Sequence, residues 1–224
     1  MTFSLAGRCG RTGMLGVVVT SSSPAVGARC AWARAGTGAV ATQNITDPSL
    51  GPAVLDRLGA GRTAAEALDE VMAGAPHAEF RQVAVIDAGG RTAASTGART
   101  LGRHAASEDT DCVAAGNLLA DEKVTAAMVG AFGRRPLEHL GGRLLDALRA
   151  GAAAGGEAGP LHSAGLLIVD RVSWPVTDLR IDWHDDPVSE LERLWELWQP
   201  QEADYVRRAL DPGSAPAYGV PGDE

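Results

Sequence analysis

Removal of Met1 would leave Thr2 at a free N-terminus, where one residue supplies both a nucleophile and its base. The hydroxyl can attack a carbonyl carbon while the adjacent α-amine, with an unperturbed pKa of about 7.7–8.0, takes the proton at neutral pH without a histidine. That chemistry is nucleophilic attack on a carbonyl group. Ser4 lies on the same face of an extended strand and is the alternative hydroxyl. Asn117, in the pair Gly116-Asn117, closes an apolar run where its amide and the neighbouring backbone N–H groups could face an oxyanion. The same pair also favours a left-handed turn for purely local reasons.

Four further polar residues are candidates for contact with substrate. Gln43 and Asn44 emerge from the apolar run GAVAT, either facing a ligand or closing a turn. Glu157, flanked by Gly155-Gly156 and Gly159, sits on a loop able to fold over a ligand, and Ser163 opens a later apolar run beside His162. No serine-hydrolase elbow of the type G-x-S-x-G is present. The five histidines show no ligand spacing, and Asp185 or Asp186 ahead of Pro187 is better explained as a helix N-cap than as part of a metal site. Gly36-Thr37-Gly38-Ala39-Val40-Ala41 fits the dinucleotide fingerprint in spelling, but a strand follows it where the fingerprint needs a helix. Neither a cofactor nor a metal is expected.

The elements that must carry these residues can be read from periodicity. Residues 2–8 and 14–20 form a hairpin about Cys9-Gly10-Arg11-Thr12-Gly13, and 25–45 continue as two strands separated by Gly36-Thr37-Gly38. Asp47-Pro48-Ser49 leads into one helix. Thr63 with Glu66 forms a capping box for a second, with Leu68, Val71 and Met72 on its buried stripe. Residues 81–87 and 91–97 make another hairpin about Ala88-Gly89-Gly90, 98–111 read as loop, and CVAAGNLLA as strand and turn. Helices are predicted at 121–133 and 136–154, the latter with Leu137, Leu140, Leu144, Leu145 and Leu148 on one face. Strands at 162–170 and 177–183 precede an amphipathic helix over Val188–Trp198. Grouped strands and grouped helices predict layers, with two antiparallel sheets face to face and helix pairs outside, and not a parallel doubly wound fold.

Composition narrows the function classes. With 224 residues, 45% of them hydrophobic and 21% charged, the chain reads as one globular domain over residues 1–210 with a disordered tail at 211–224. A net charge of −8 without a basic block argues against a nucleic-acid partner. Lys123 is the one lysine among twenty cationic residues, so a lysine-dependent mechanism has a single candidate. Three cysteines at unrelated spacings predict reduced thiols and a cytoplasmic protein, with neither membrane span nor signal peptide. Trp183, Trp195 and Trp198 suggest more aromatic surface than an edge helix needs, and hence a homo-oligomer, most simply a dimer.

The segments TFSLAGR, MLGVVVTSSSPAVGA, AGTGAVATQNITDPSLGPAVLDRLGAG, RQVAVIDAGGR, AGNLLA, ALRAGAAAGGE and DLRIDWHDDPVSEL together resemble the bacterial family of unknown function numbered 1028, over nearly all of residues 2–198. That family is similar to the N-terminal-nucleophile hydrolases, which implies a four-layer αββα sandwich of class α+β whose first strand begins with the nucleophile. The proteasome-like relatives carry a lysine near the nucleophile. Their likeness implies a cationic role for a residue of the third strand region, for which Arg34 is chosen over Arg29. One departure stands out: the arginine that usually follows the Gly-Gly-acid stretch is Ala158 here. The resulting expectation is an amidohydrolase acting on a small molecule, with a non-catalytic ligand-binding or interaction protein on the same fold as the alternative.

Overall fold

The structure is a computed structural model that describes residues 2–221. Ten strands form two antiparallel sheets. The six-stranded sheet has the order β10-β9-β2-β1-β8-β7, from Thr177–Ile181, Ser163–Val169, Leu15–Ser21, Thr2–Arg8, Cys112–Asn117 and Ala105–Asp109. The four-stranded sheet has the order β3-β4-β5-β6, from Ala31–Arg34, Gly38–Asn44, Arg81–Asp87 and Thr92–Thr96. Helices α2 (Leu50–Gly59) and α3 (Ala64–Gly74) cover the outer face of the smaller sheet. Helices α4 (Lys123–Gly133) and α5 (Leu140–Ala153) cover the outer face of the larger, with α6 (Pro187–Trp198) beside them. This is the expected αββα sandwich.

Alternation along each strand decides what lies between the layers. On β1, Phe3 and Leu5 pack under α4 and α5, whereas Ala6 joins Leu15, Val17, Ala39, Ala41, Ala84, Ile86, Val113, Ala115 and Val169 between the sheets. Five of these ten are alanines, small enough to let two sheets approach closely. The capping box is present, with Glu66 N–H donating to Thr63 Oγ1 and Thr63 N–H to Glu66. Asp186 caps α6 by accepting from Ser189 N–H, as its position ahead of Pro187 predicts.

Three local expectations need correction, and one element is added. The segment 25–45 contains a one-turn helix, α1 (Gly27–Cys30), before β3. It is built where two glycines meet, since a Cβ on Gly165 would lie 2.9 Å from the Cα of Gly27. The stretch 98–111 includes β7, whose sequence AASED has no apolar alternation because it is an edge strand, paired to β8 and held on its inner side by Ala105 against the core and by Ser107 bonded to Thr125 of α4. Helix α5 starts at Leu140 with His139 as its cap, leaving Leu137 outside and 80% exposed. Beyond Pro200 the chain turns helical again as α7 (Glu202–Leu210). Its first residue is buried, accepting from Thr177 Oγ1 at 2.7 Å and lying 3.0 Å from His139 Nε2.

Of the three tryptophans near the C-terminal helix, Trp195 is in the core and Trp198 packs against it and donates to Thr177 Oγ1, while Trp183 stays exposed and stacks on His162. Cys9, Cys30 and Cys112 are buried free thiols, and burial pushes Cys112 up to about 12. No described helix is long and apolar enough to cross a membrane.

Candidate active site

The space between the sheets is apolar at one end and polar at the other. Five strands that reach the polar end contribute residues of the same facing parity: Thr2 and Ser4 from β1, Ser21 from β2, Gln43 from β4, Gln82 from β5, Asn117 from β8. All six are buried. In register, Thr2 lies opposite Asn117, so the start of β1 and the end of β8 coincide. Thr2 Oγ1 donates to Ser21 Oγ at 3.2 Å.

The hydrogen bonds of this layer have a fixed direction. Gln82 Nε2 lies 3.0 Å from the carbonyl oxygen of Gly116, which only accepts, so the amide nitrogen must be on that side. Gln82 Oε1 therefore points inward and accepts from Gln43 Nε2 at 2.8 Å and Asn117 Nδ2 at 3.2 Å. Gln43 Oε1 is then left to accept from Ser4 Oγ at 2.7 Å. Two consequences follow for the candidate residues. The Ser4 proton is committed to an amide oxygen, which is no base. Asn117 has its nitrogen turned into the layer, and its buried Oδ1 is an acceptor without a partner among the described residues. An acceptor suits an ammonium group and not an oxyanion.

Glu157 closes the same end. Its carboxylate accepts from Ser22 N–H at 3.2 and 3.3 Å, just past β2, and its backbone bridges to Leu119, just past β8. Since β1 runs between β2 and β8, Glu157 brackets the position from which β1 begins. The group is 5% exposed. Burial pushes its carboxyl up to about 7, against the positive charge of the chain's amino terminus and the Ser22 hydrogen bonds.

The remaining candidates have other tasks. Ser163 Oγ donates to Ser23 O at 2.6 Å and accepts from Val26 N–H, which staples the 22–26 loop to β9. Asn44, at φ 75°, donates to Phe80 O and accepts from Leu101 N–H, tying the 97–103 segment to the ends of β4 and β5. That segment continues across the end of the sandwich, with Leu101 O accepting from Leu118 N–H and Arg103 O from Leu119 N–H.

Arg34 is not at the site. It pairs with Asp56 at 2.8 Å and donates to Leu55 O, and it lies opposite Gly38, which opens the strand that Gln43 and Asn44 close. Five residues of strand put that about 17 Å from Gln43. Arg29 is likewise occupied, by Pro24 O and Ala25 O, and Lys123 is exposed beside Asp121. The charge at the Thr2 end is therefore a carboxylate. Gln82 and Ser21 belong to the site and were not singled out from sequence.

The His184-Asp185-Asp186 run is used locally, with His184 Nδ1 accepting from Asp186 N–H. Among the described residues no group of three or more His, Cys, Asp or Glu side chains could hold a metal ion.

The role of Ser4 has a direct check. Ser4→Ala removes the donor to Gln43 Oε1 in a closed layer and is expected to cost about 1–2 kcal/mol in urea unfolding, while any turnover by the protein persists. Loss of turnover at unchanged fold would make Ser4 the working hydroxyl.

Comparison with known proteins gives the following. A profile of the family described as "Family of unknown function (DUF1028)" matches residues 2–191. No curated protein matches. Among solved structures, protein SPO2555 from Silicibacter pomeroyi, titled as a member of the same family, superposes with a TM-score of 0.84 at 30% identity, covering 92% of this chain and 90% of that one. Anbu (ancestral beta-subunit) from Yersinia bercovieri aligns with a TM-score of 0.41 at 11% identity, over 92% of this chain and 97% of that one. Anbu from Hyphomicrobium sp. strain MC1 aligns with a TM-score of 0.42 at 14% identity, over 97% and 100% respectively.

Proposed function

Since the chain belongs to the DUF1028 family, whose function is unknown, its activity has to be read from its own residues, and we propose an amidohydrolase that cleaves a small-molecule carbon–nitrogen bond. Thr2 is the nucleophile once Met1 is removed. The observation that carries this reading is the setting of Thr2: it opens a central strand, faces a buried polar layer, and is bracketed by Glu157 between Ser22 and Leu119. Met1 itself lies outside the described residues.

In the proposed reaction the free α-amine of Thr2 takes the Oγ proton as Oγ attacks the amide carbon. The resulting ammonium gives that proton to the departing nitrogen, which leaves as the amine. An ester on Thr2 Oγ remains. Water then attacks the ester carbon, losing a proton to the amine, and the ammonium passes that proton to Thr2 Oγ as the ester C–O bond breaks, which releases the acid and restores the hydroxyl and the free amine. Asn117 Oδ1 and Glu157 hold the ammonium form. An anionic Glu157 favours the ammonium form of the amine, and the burial that raises the Glu157 carboxyl weakens that hold at neutral pH.

One observation favours the second reading, a ligand-binding protein without turnover. The polar layer of Ser4, Gln43 and Gln82 is closed on itself, as a purely structural network would be. Intact mass of untagged protein separates the two at the first step. The amidohydrolase requires a species lighter by one methionine residue, and a chain that keeps Met1 quantitatively removes the base from the mechanism. A thermal-shift screen of small amides and ureides, followed by a turnover assay, completes the comparison. A ligand that stabilises and is never consumed supports binding alone.

A further inference from the structure

A cavity of about 360 Å³ opens beside the Thr2 end of the sandwich, lined by Ile45, His77, Phe80, Arg81 and Leu101. Its walls are outward continuations of the segments that build the polar layer. Ile45 is two residues beyond Gln43, Phe80 and Arg81 directly precede Gln82, and Leu101 accepts from Leu118 N–H, next to Asn117. At about 3.3 Å per residue of extended chain, the cavity begins within roughly 7 Å of that layer along each path.

Three of the five wall residues, Ile45, Phe80 and Leu101, are apolar, and the wall is held in place. Ile45 and Leu101 are large apolar residues left 46% and 43% exposed. Asn44 ties their backbones together, donating to Phe80 O and accepting from Leu101 N–H, while Arg81 donates to Ile45 O. The Arg81 guanidinium donates to that carbonyl while its buried Nε has no partner among the described residues, and Phe80 is covered by Arg99 on one face, so that apart from Arg81 and His77 the cavity presents hydrocarbon. A pocket of this kind selects an uncharged apolar group.

We infer that this cavity receives the apolar group of the amide whose carbonyl is attacked by Thr2, so that the substrate class is uncharged amides carrying a medium aliphatic or aromatic group. The inference rests on the Thr2 reading above. In it, Asn44 is a positioning residue for the pocket walls and does not itself touch substrate.

Binding of acetamide, butanamide, hexanamide and phenylacetamide to Thr2→Ala protein, measured by calorimetry or by NMR titration, tests the pocket without needing turnover. Each fully buried methylene is worth about threefold to fourfold in affinity, so hexanamide is expected to bind at least tenfold tighter than acetamide. Ile45→Asp and Leu101→Asp, at exposed positions, should collapse that ratio towards one, and Leu101→Trp, which fills the cavity without adding charge, should do the same. A flat chain-length series, no binding by any of the four, or a ratio untouched by all three substitutions overturns the inference. Turnover that depends on Thr2 with a flat series would leave the amidohydrolase standing and remove the pocket. A steep series in a protein that never consumes the amides would keep the cavity as a binding site for the apolar group and remove both the proposed turnover and the inference as stated.

Discussion

Thr2→Ala is expected to reduce kcat/KM on any amide substrate by at least about a thousandfold, the scale on which removing a nucleophile acts when the rest of a site is intact. Thr2→Ser, which keeps hydroxyl and α-amine, should stay within roughly tenfold of the parent. Stability changes cannot account for such a loss. The Oγ1 hydrogen bond to Ser21 is one contact at the end of a strand, worth about 1 kcal/mol, and the main chain of β1 remains paired on both sides. The counterpart experiment leaves Thr2 in place and blocks its amine. Protein carrying an N-terminal extension that is not removed should match Thr2→Ala in rate while keeping the parent's unfolding midpoint. Activity in the blocked protein would show that the base is not the Thr2 amine, and activity in Thr2→Ala would take the nucleophile away from Thr2 altogether.

Much of the scaffold around Thr2 is legible in one dimension because its signals are local. The hairpin of β1 and β2, the hairpin about Ala88-Gly89-Gly90, the Thr63–Glu66 box and the Asp186 cap each need only a few neighbouring residues to specify them. The site is different in kind. Gln82 is written directly after Arg81 in RQVAVID, no different from a strand end facing water. It becomes a central residue because β5 faces β8 across the sandwich and its amide reaches Gly116 O. The same parity rule holds for Thr2-Ser4-Ala6, Ala39-Ala41-Gln43, Gln82-Ala84-Ile86 and Val113-Ala115-Asn117, each polar at one end and apolar at the other. Whether four polar ends coincide depends on strand direction and register, which are long-range facts. Arg34 fails for the same reason: it is on the correct sheet and at the wrong end of it. Edge strand β7 and helix α7 were missed because neither has an apolar period of its own. The first is held by backbone pairing and by Ser107 on Thr125, and the second by the buried carboxylate of Glu202 on Thr177 and His139 together with Val206 on the core and Tyr205 on Trp198.

Glu157→Gln is expected to raise stability at pH 8 by about 3 kcal/mol and to leave it unchanged near pH 4. The carboxyl titrates at about 7 in the folded protein against 4.5 for the ordinary group, because burial disfavours its charge. Between those two values the folded state holds a proton that the unfolded chain has lost, so stability falls as pH rises from about 4.5 to about 7 and is level outside that window. A shift of two and a half pKa units corresponds to about 3 kcal/mol. Glutamine carries no charge at any pH and can still accept from Ser22 N–H through its oxygen, so the variant should follow the parent in acid and exceed it in base. Urea midpoints measured at intervals from pH 4 to pH 8.5 read this directly. Equal slopes for parent and variant would mean that the Glu157 carboxylate is no more costly than an exposed one. The same substitution bears on the amine. An anionic Glu157 stabilises the ammonium form of Thr2, so its removal should move the pH of half-maximal turnover downward. A pH profile that stays in place while the stability curve changes would keep Glu157 as a buried acid of the fold and exclude it from the working pair.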